Sequence, residues 1–195
     1  MKDKLVQLKP IDCAMFMTAF SRAEMFKEVE LFECLEAIFV QHIDEAEGST
    51  VVTMFNAHAA WAFSIIDDVL IKKNHPRRVY KVFKAYNEAF YEHMVVAMIR
   101  NADEINLKGT MLVLVNGFVT NLKKRDNTRL MLQFALKGVR ALERERGHLG
   151  EGFEPVALKY YTLAEKYCLN KKDQTDLIEV FADELDLDIV ELGKR

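Results

Sequence analysis

Residues 122–135 read LKKRDNTRLMLQFA, and residues 169–182 read LNKKDQTDLIEVFA. The two stretches agree at Leu122/Leu169, Lys124/Lys171, Asp126/Asp173, Thr128/Thr175, Leu130/Leu177, Phe134/Phe181 and Ala135/Ala182. Their rear half, Leu-x-x-x-Phe-Ala, places apolar residues one helical turn apart, so it predicts the inner stripe of a helix. Their front half, Lys-Lys/Arg-Asp-Asn/Gln-Thr, predicts the turn before that helix. Asp126, Asp173, Thr128 and Thr175 are its candidate N-caps, because their side-chain oxygens accept from free backbone N–H groups.

The same pattern extends upstream. In "LIKKNHPRRVYKVFKAY" from Leu70, Lys73, Val79 and Phe83 take the places of Lys124, Leu130 and Phe134; in "FKEVELFECLEAIF", Leu31 and Leu35 hold the apolar positions. The landmark then recurs at Leu31, Val79, Leu130 and Leu177, with spacings of 48, 51 and 47. A period in the range of about 20–50 residues predicts a solenoid-type array.

Each unit reads as two helices. The pairs are "IDCAMFMTAFSRAE" with "EVELFECLEAIFVQHI", "STVVTMFNAHAAWAFSIIDDVL" with "PRRVYKVFKAYNEAFYEHMVVAMI", "LKGTMLVLVNGFVTNL" with "TRLMLQFALKGVRALERE", and "PVALKYYTLAEKYCL" with "QTDLIEVFADEL". Pro76 and Pro155 suit helix starts, where a missing N–H costs nothing. The glycine-containing breaks, EAEGST (45–50) and RGHLGEGFEP (146–155), fall between units. The expected architecture is all-α: a short α-solenoid of about four antiparallel helical hairpins. Residues 1–195 form a single array with units at approximately 11–47, 49–102, 105–146 and 153–189. Such units cannot bury their apolar faces alone, so the array folds together.

Composition agrees. Half of the 195 residues are hydrophobic, enough for a real core, while 8 Gly and 3 Pro leave little strand punctuation. The three cysteines, Cys13, Cys34 and Cys168, are far apart and form no zinc or redox motif. They read as buried or half-buried thiols. No apolar run approaches the roughly 20 residues that span a bilayer, so no membrane insertion is expected. The N-terminal MKDKLVQLKP reads as neither a secretory signal nor an Arg/Ser-rich transit peptide.

Catalytic chemistry has little to stand on. Asp67-Asp68 lacks a second acidic cluster and reads as a solvated helix end. Glu145 and His148 have the spacing of one di-iron motif, but a di-iron bundle needs two such motifs and two further carboxylates. No histidine pair has the i, i+4 spacing of a helical zinc site. His58, in FNAHAAWAF beside Trp61, reads as a packed, hydrogen-bonded residue. Neither a nucleophile elbow nor a phosphate-binding glycine loop occurs. The chain is expected to be non-enzymatic, with no cofactor and no metal.

Charge is distributed in blocks beneath the net −3. From Glu24 to Glu47 eight acids face Lys27 alone. From Val69 to Asn87 there are Lys72, Lys73, Arg77, Arg78, Lys81 and Lys84 and no acid, with Asn74, Tyr80 and Tyr86 interleaved. Seven Lys/Arg meet only Asp126 between Ile105 and Leu142, and eight acids stand without Lys or Arg between Asp173 and Glu191. The basic middle, extended by Lys123, Lys124 and Arg125, suits an RNA backbone. The alternative is that these residues are ordinary solvated faces and helix ends. The acidic ends suit basic protein neighbours.

Two stretches, "CAMFMTAFSRAEMFKEVELFECLEAIF" and "VTMFNAHAAWAF", resemble the helical-hairpin repeats of organellar RNA proteins, the octotricopeptide-like and FAST-kinase-like RAP-associated repeats. That resemblance, clearest over residues 11–70, implies an α-solenoid serving a mitochondrial ribonucleoprotein, either the mitoribosome or an RNA-processing complex. HEAT-like repeats are the competing assignment and have the closer period. The expected function is therefore a helical scaffold subunit of a large assembly, with neighbouring protein subunits and RNA as partners. Its expected location is mitochondrial, or otherwise cytoplasmic. The alternative is a HEAT-like protein–protein adaptor that does not touch RNA.

Overall fold

The computed structural model describes residues 8–23, 25, 28–65, 77–119 and 125–194, with backbone alone at 63–65, 77–88, 118–119 and 125–127. Among the described residues all regular structure is helical: α1 (Pro10–Arg22), α2 (Val29–Gln41), α3 (Gly48–Ile65), α4 (Arg77–Arg100), α5 (Leu107–Val119), α6 (Arg125–Leu149), α7 (Phe153–Glu165), α8 (Lys171–Leu185) and the single turn α9 (Ile189–Leu192). The protein is thus all-α. Each of the eight longer helices falls on a stretch expected to be helical. The four landmarks, Leu31, Val79, Leu130 and Leu177, all lie within the first two turns of α2, α4, α6 and α8.

The helix that follows the repeated stretch starts earlier than the sequence pattern predicts. Helix α8 opens at Lys171, so Asp173 and Thr175 sit inside it. Asn170 is the N-cap, in extended conformation, and its side chain accepts from the Asp173 N–H at 3.0 Å. Asp173 reaches back to accept from the Leu169 N–H at 2.8 Å. Asn caps a helix as well as Asp does, and the earlier start lets the Asn170 side chain satisfy the Asp173 N–H while Asp173 ties down the Leu169 N–H just before the cap. The Thr175 hydroxyl donates to the Lys171 carbonyl within the helix. Asp126 and Thr128 likewise lie within α6. The glycine-containing break at 146–155 is also shorter than expected. Helix α6 runs through Gly147, a 3-10 turn spans Gly150–Gly152, and Pro155 stands in the first turn of α7.

The chain gathers into two compact units, residues 1–98 and 99–195. In the first, α1 packs most extensively on α3 and also on α2. Pro10 opens α1, and Asp12 fastens that end by accepting from the Lys9 N–H at 3.0 Å. Helix α3 is buried almost all round. Val51, Met54, Phe55, Ala57, His58, Trp61 and Ala62 all lie below the surface, which marks α3 as the innermost element of its unit. Trp61 stacks on Phe32 of α2, with ring centroids 4.6 Å apart and planes within 4°.

In the second unit α6 is central. Met131, Phe134, Ala135, Val139 and Leu142 are fully or almost fully buried at three- and four-residue spacing, against α5, α7 and α8. Close approach requires Gly138, because a Cβ there would fall on the Tyr160 hydroxyl and 2.6 Å from Thr110 Cγ2. The Tyr160 hydroxyl donates to the Ala135 carbonyl at 2.7 Å, and the Tyr167 hydroxyl donates to the Leu114 carbonyl. Arg146 donates to the Leu185 carbonyl at the end of α8, and its guanidinium lies 4.6 Å over the Phe153 ring.

One connection is built twice. Before α3 and before α5 the chain makes a 3-10 turn (Ile43–Glu45; Ala102–Glu104), then one buried extended residue (Ala46; Ile105). Glu47 and Asn106 follow, and their carbonyls accept the opening backbone bonds of α3 and α5. The Asn106 side chain adds a 2.8 Å bond from the Gly109 N–H.

Candidate functional site

Of the nine basic residues that sequence marks for RNA, none has a described side chain. Lys72, Lys73, Lys123 and Lys124 lie outside the described residues altogether. Arg77, Arg78, Lys81 and Lys84 are placed by backbone in α4, and Arg125 is placed by backbone at the start of α6. Asp67-Asp68 also lies outside the described residues. Two other features carry the chemistry that can be built from side chains.

The first is a polar constellation inside the first unit. His58 on α3 is fully buried, as expected for a packed residue. Its Nδ1 lies 2.8 Å from the Tyr91 hydroxyl of α4. Its Nε2 is in contact with Glu36 Oε1 of α2. That contact is a close approach without the alignment of a hydrogen bond, and Glu36 Oε2 meets no donor among the described residues. Phe90 covers the imidazole at 4.3 Å, and Trp61 meets it edge-on at 5.2 Å. A carboxylate, an imidazole and a phenol in line could pass a proton, but a general base must come within hydrogen-bond reach of its substrate. All three groups are at most 1% exposed, so the constellation acts on the protein's own core.

Glu36 escaped the sequence reading. Its signal was present: it stands four residues after Phe32 and three before Phe39, on the apolar stripe of α2, where an unpaired acid would be costly.

The second feature is exposed apolar surface. Helix α1 carries only two charges, Asp12 and Arg22. It buries Cys13, Ala14 and Met17, yet its opposite face shows Ile11 at 46%, Met15 at 61% and Phe16 at 43% exposure. Phe16 stacks along the helix on Phe20 at 5.9 Å. At Ile11 this face runs into a groove of about 410 Å³, whose other wall carries Glu45 and Glu47. In the second unit, Leu112 and Val115 of α5 are exposed and line a groove of about 520 Å³ with Leu163, Lys108, Lys159 and Glu145. Single exposed apolar residues are ordinary, but a helix apolar on both faces normally has both covered.

The remaining titratable groups suit structural roles. Burial pushes the Cys13 and Cys168 thiols up to about 11, which keeps them protonated and unreactive. Burial first and then Glu165, whose carboxylate accepts from its hydroxyl, push Tyr161 up to about 12. Among the described residues no group of three or more His, Cys, Asp or Glu could hold a metal, and no helix is long and apolar enough to cross a membrane. No family model, curated protein or solved structure matches the chain.

Proposed function

We propose that this chain is a non-enzymatic helical-repeat scaffold subunit of a larger assembly, its four helix pairs forming a short solenoid. The observation that carries this reading is the outward face of α1, where Ile11, Met15 and Phe16 lie bare on a helix that is apolar on both sides. The bare Leu112 and Val115 of α5 support it from the second unit. Covering the exposed half of each large apolar side chain stabilises an assembly by roughly 1 kcal/mol, so such faces favour a neighbour. The test is the size of the native particle containing the chain in a gentle extract, for the wild type and for a Met15→Gln/Phe16→Gln/Leu112→Gln/Val115→Gln variant. The expected result is a large particle that the variant fails to enter. A wild-type chain migrating as a free monomer would overturn the reading.

RNA contact through the basic middle is a second reading, favoured by the acid-free run from Val69 to Asn87. The resemblance to organellar repeats would place it in a mitochondrial ribonucleoprotein. Its test is RNA binding across a salt series, with Lys72, Lys73, Arg77, Arg78, Lys81 and Lys84 changed to Gln. Binding that weakens steeply with salt and vanishes in the variant supports phosphate contact. Equal or absent binding in both leaves a protein–protein adaptor.

A further inference from the structure

We infer that the outer face of α1, together with the groove at its start, is a docking site for a basic amphipathic helix of a partner protein. The inference rests on the scaffold reading and names the occupant of one of its surfaces.

Two observations select that occupant. The face itself is apolar. Met15 and Phe16 stand near its centre, Ile11 and Met25 are also exposed, and Ala19 leaves room between them. An unbranched methionine adapts to many apolar shapes, and exposed apolar residues at i, i+4 and i+8 (Ile11, Met15, Ala19) present a track for a second helix.

The surroundings are acidic. The groove that continues from Ile11 has Glu45 and Glu47 on its far wall against Lys9 on the near one. The segment from Glu24 to Glu47 holds eight acids and one lysine. Among the described acids Glu36 turns inward, whereas Glu28, Glu30, Glu33 and Glu47 are exposed and have no cationic partner among the described residues. An acidic helix would meet repulsion at the groove, whereas Lys or Arg flanking a Leu-rich stripe would neutralise Glu45 and Glu47 while the stripe covers Met15 and Phe16. The second-unit groove lacks this bias, since Lys108 and Lys159 share it with Glu145.

The test uses the full chain and two synthetic helical peptides with the same apolar spacing, one of Leu and Lys, the other of Leu and Glu. Anisotropy is read at low and high salt. The expected result is binding of the Leu/Lys peptide at least about tenfold tighter than the Leu/Glu peptide, with the preference shrinking as salt rises. Met15→Gln/Phe16→Gln should abolish binding, and Glu45→Gln/Glu47→Gln should reduce the charge preference alone. These side chains are exposed, and unchanged circular dichroism and Trp61 fluorescence would show that the variants fold.

Equal binding of the two peptides overturns the inference, as does binding by neither or binding indifferent to Met15→Gln/Phe16→Gln. A wild-type dimer that Met15→Gln/Phe16→Gln dissociates would assign the face to a second copy instead and also overturn it. If neither peptide binds while the chain still enters its native particle, the occupant is wrong and the scaffold reading stands. If the chain enters no particle, the scaffold reading itself falls.

Discussion

The two units place polar atoms in their cores by different means. In the first, buried polar side chains answer one another: Glu36 against His58, and His58 against Tyr91. In the second, the buried tyrosines donate to backbone carbonyls that helices already hold in place, Tyr160 to Ala135 and Tyr167 to Leu114. A side-chain pair depends on both partners. A carbonyl that also serves its own helix keeps a partner when the tyrosine is lost. The first unit is therefore specific and brittle, the second forgiving.

The largest effect should come from splitting the pair. His58→Ala leaves Glu36 buried without its partner and should cost about 3–5 kcal/mol, read as a lower urea midpoint of Trp61 fluorescence. Trp61 is the single tryptophan and lies beside His58, so its signal belongs to the first unit. Replacing both partners, as Glu36→Met/His58→Leu, should recover most of that loss, because apolar packing substitutes well for a buried polar pair. A double variant as unstable as the single one would break the comparison.

Next is Gly138→Ala. The added methyl collides with Tyr160 and Thr110 and should cost about 1–3 kcal/mol in thermal unfolding. Tyr160→Phe should cost only about 1 kcal/mol, since the Ala135 carbonyl keeps its helical bond. A Tyr160→Phe loss as large as that of His58→Ala would erase the distinction between the units.

A further effect is in alkali. Tyr161 is raised to about 12 from about 10, and burial raises Tyr160 and Tyr167 as well. The unfolded chain releases these protons near pH 10 while the folded unit retains them. Their contribution is therefore complete below pH 10 and is lost as pH rises toward 12. Denaturant unfolding read across that window should show the second unit losing stability as pH rises.

Much of this was legible in the sequence, because helix-forming stretches announce themselves by apolar spacing. The repeated Leu-x-x-x-Phe-Ala stretch does place Phe134 and Phe181 in cores. Its front half misled, since Asp173 and Asn170 are both good caps and only geometry decides which one takes the free N–H. The twin connection before α3 and α5 was hidden because only Asp44-Glu45 and Asp103-Glu104 match, while the shape is kept by different residues. Glu36 was missed because a charge among apolar residues looks like surface until its partner arrives from another helix. The exposed face of α1 reads in sequence as core, since spacing cannot say which of two apolar faces is covered.

The reach of Arg146 also bears on how the chain is made. The Glu36–His58–Tyr91 core of the first unit is drawn from residues that all precede residue 98, so its partners are all made while the second half is still being translated. The second unit cannot close so early. Arg146 waits for the carbonyl of Leu185, and Leu177, Phe181 and Ile189 fill the same core. Until α8 and Ile189 have left the ribosome, the part of the α6 apolar stripe that they cover stays open, and that interval is when a chaperone would hold this chain.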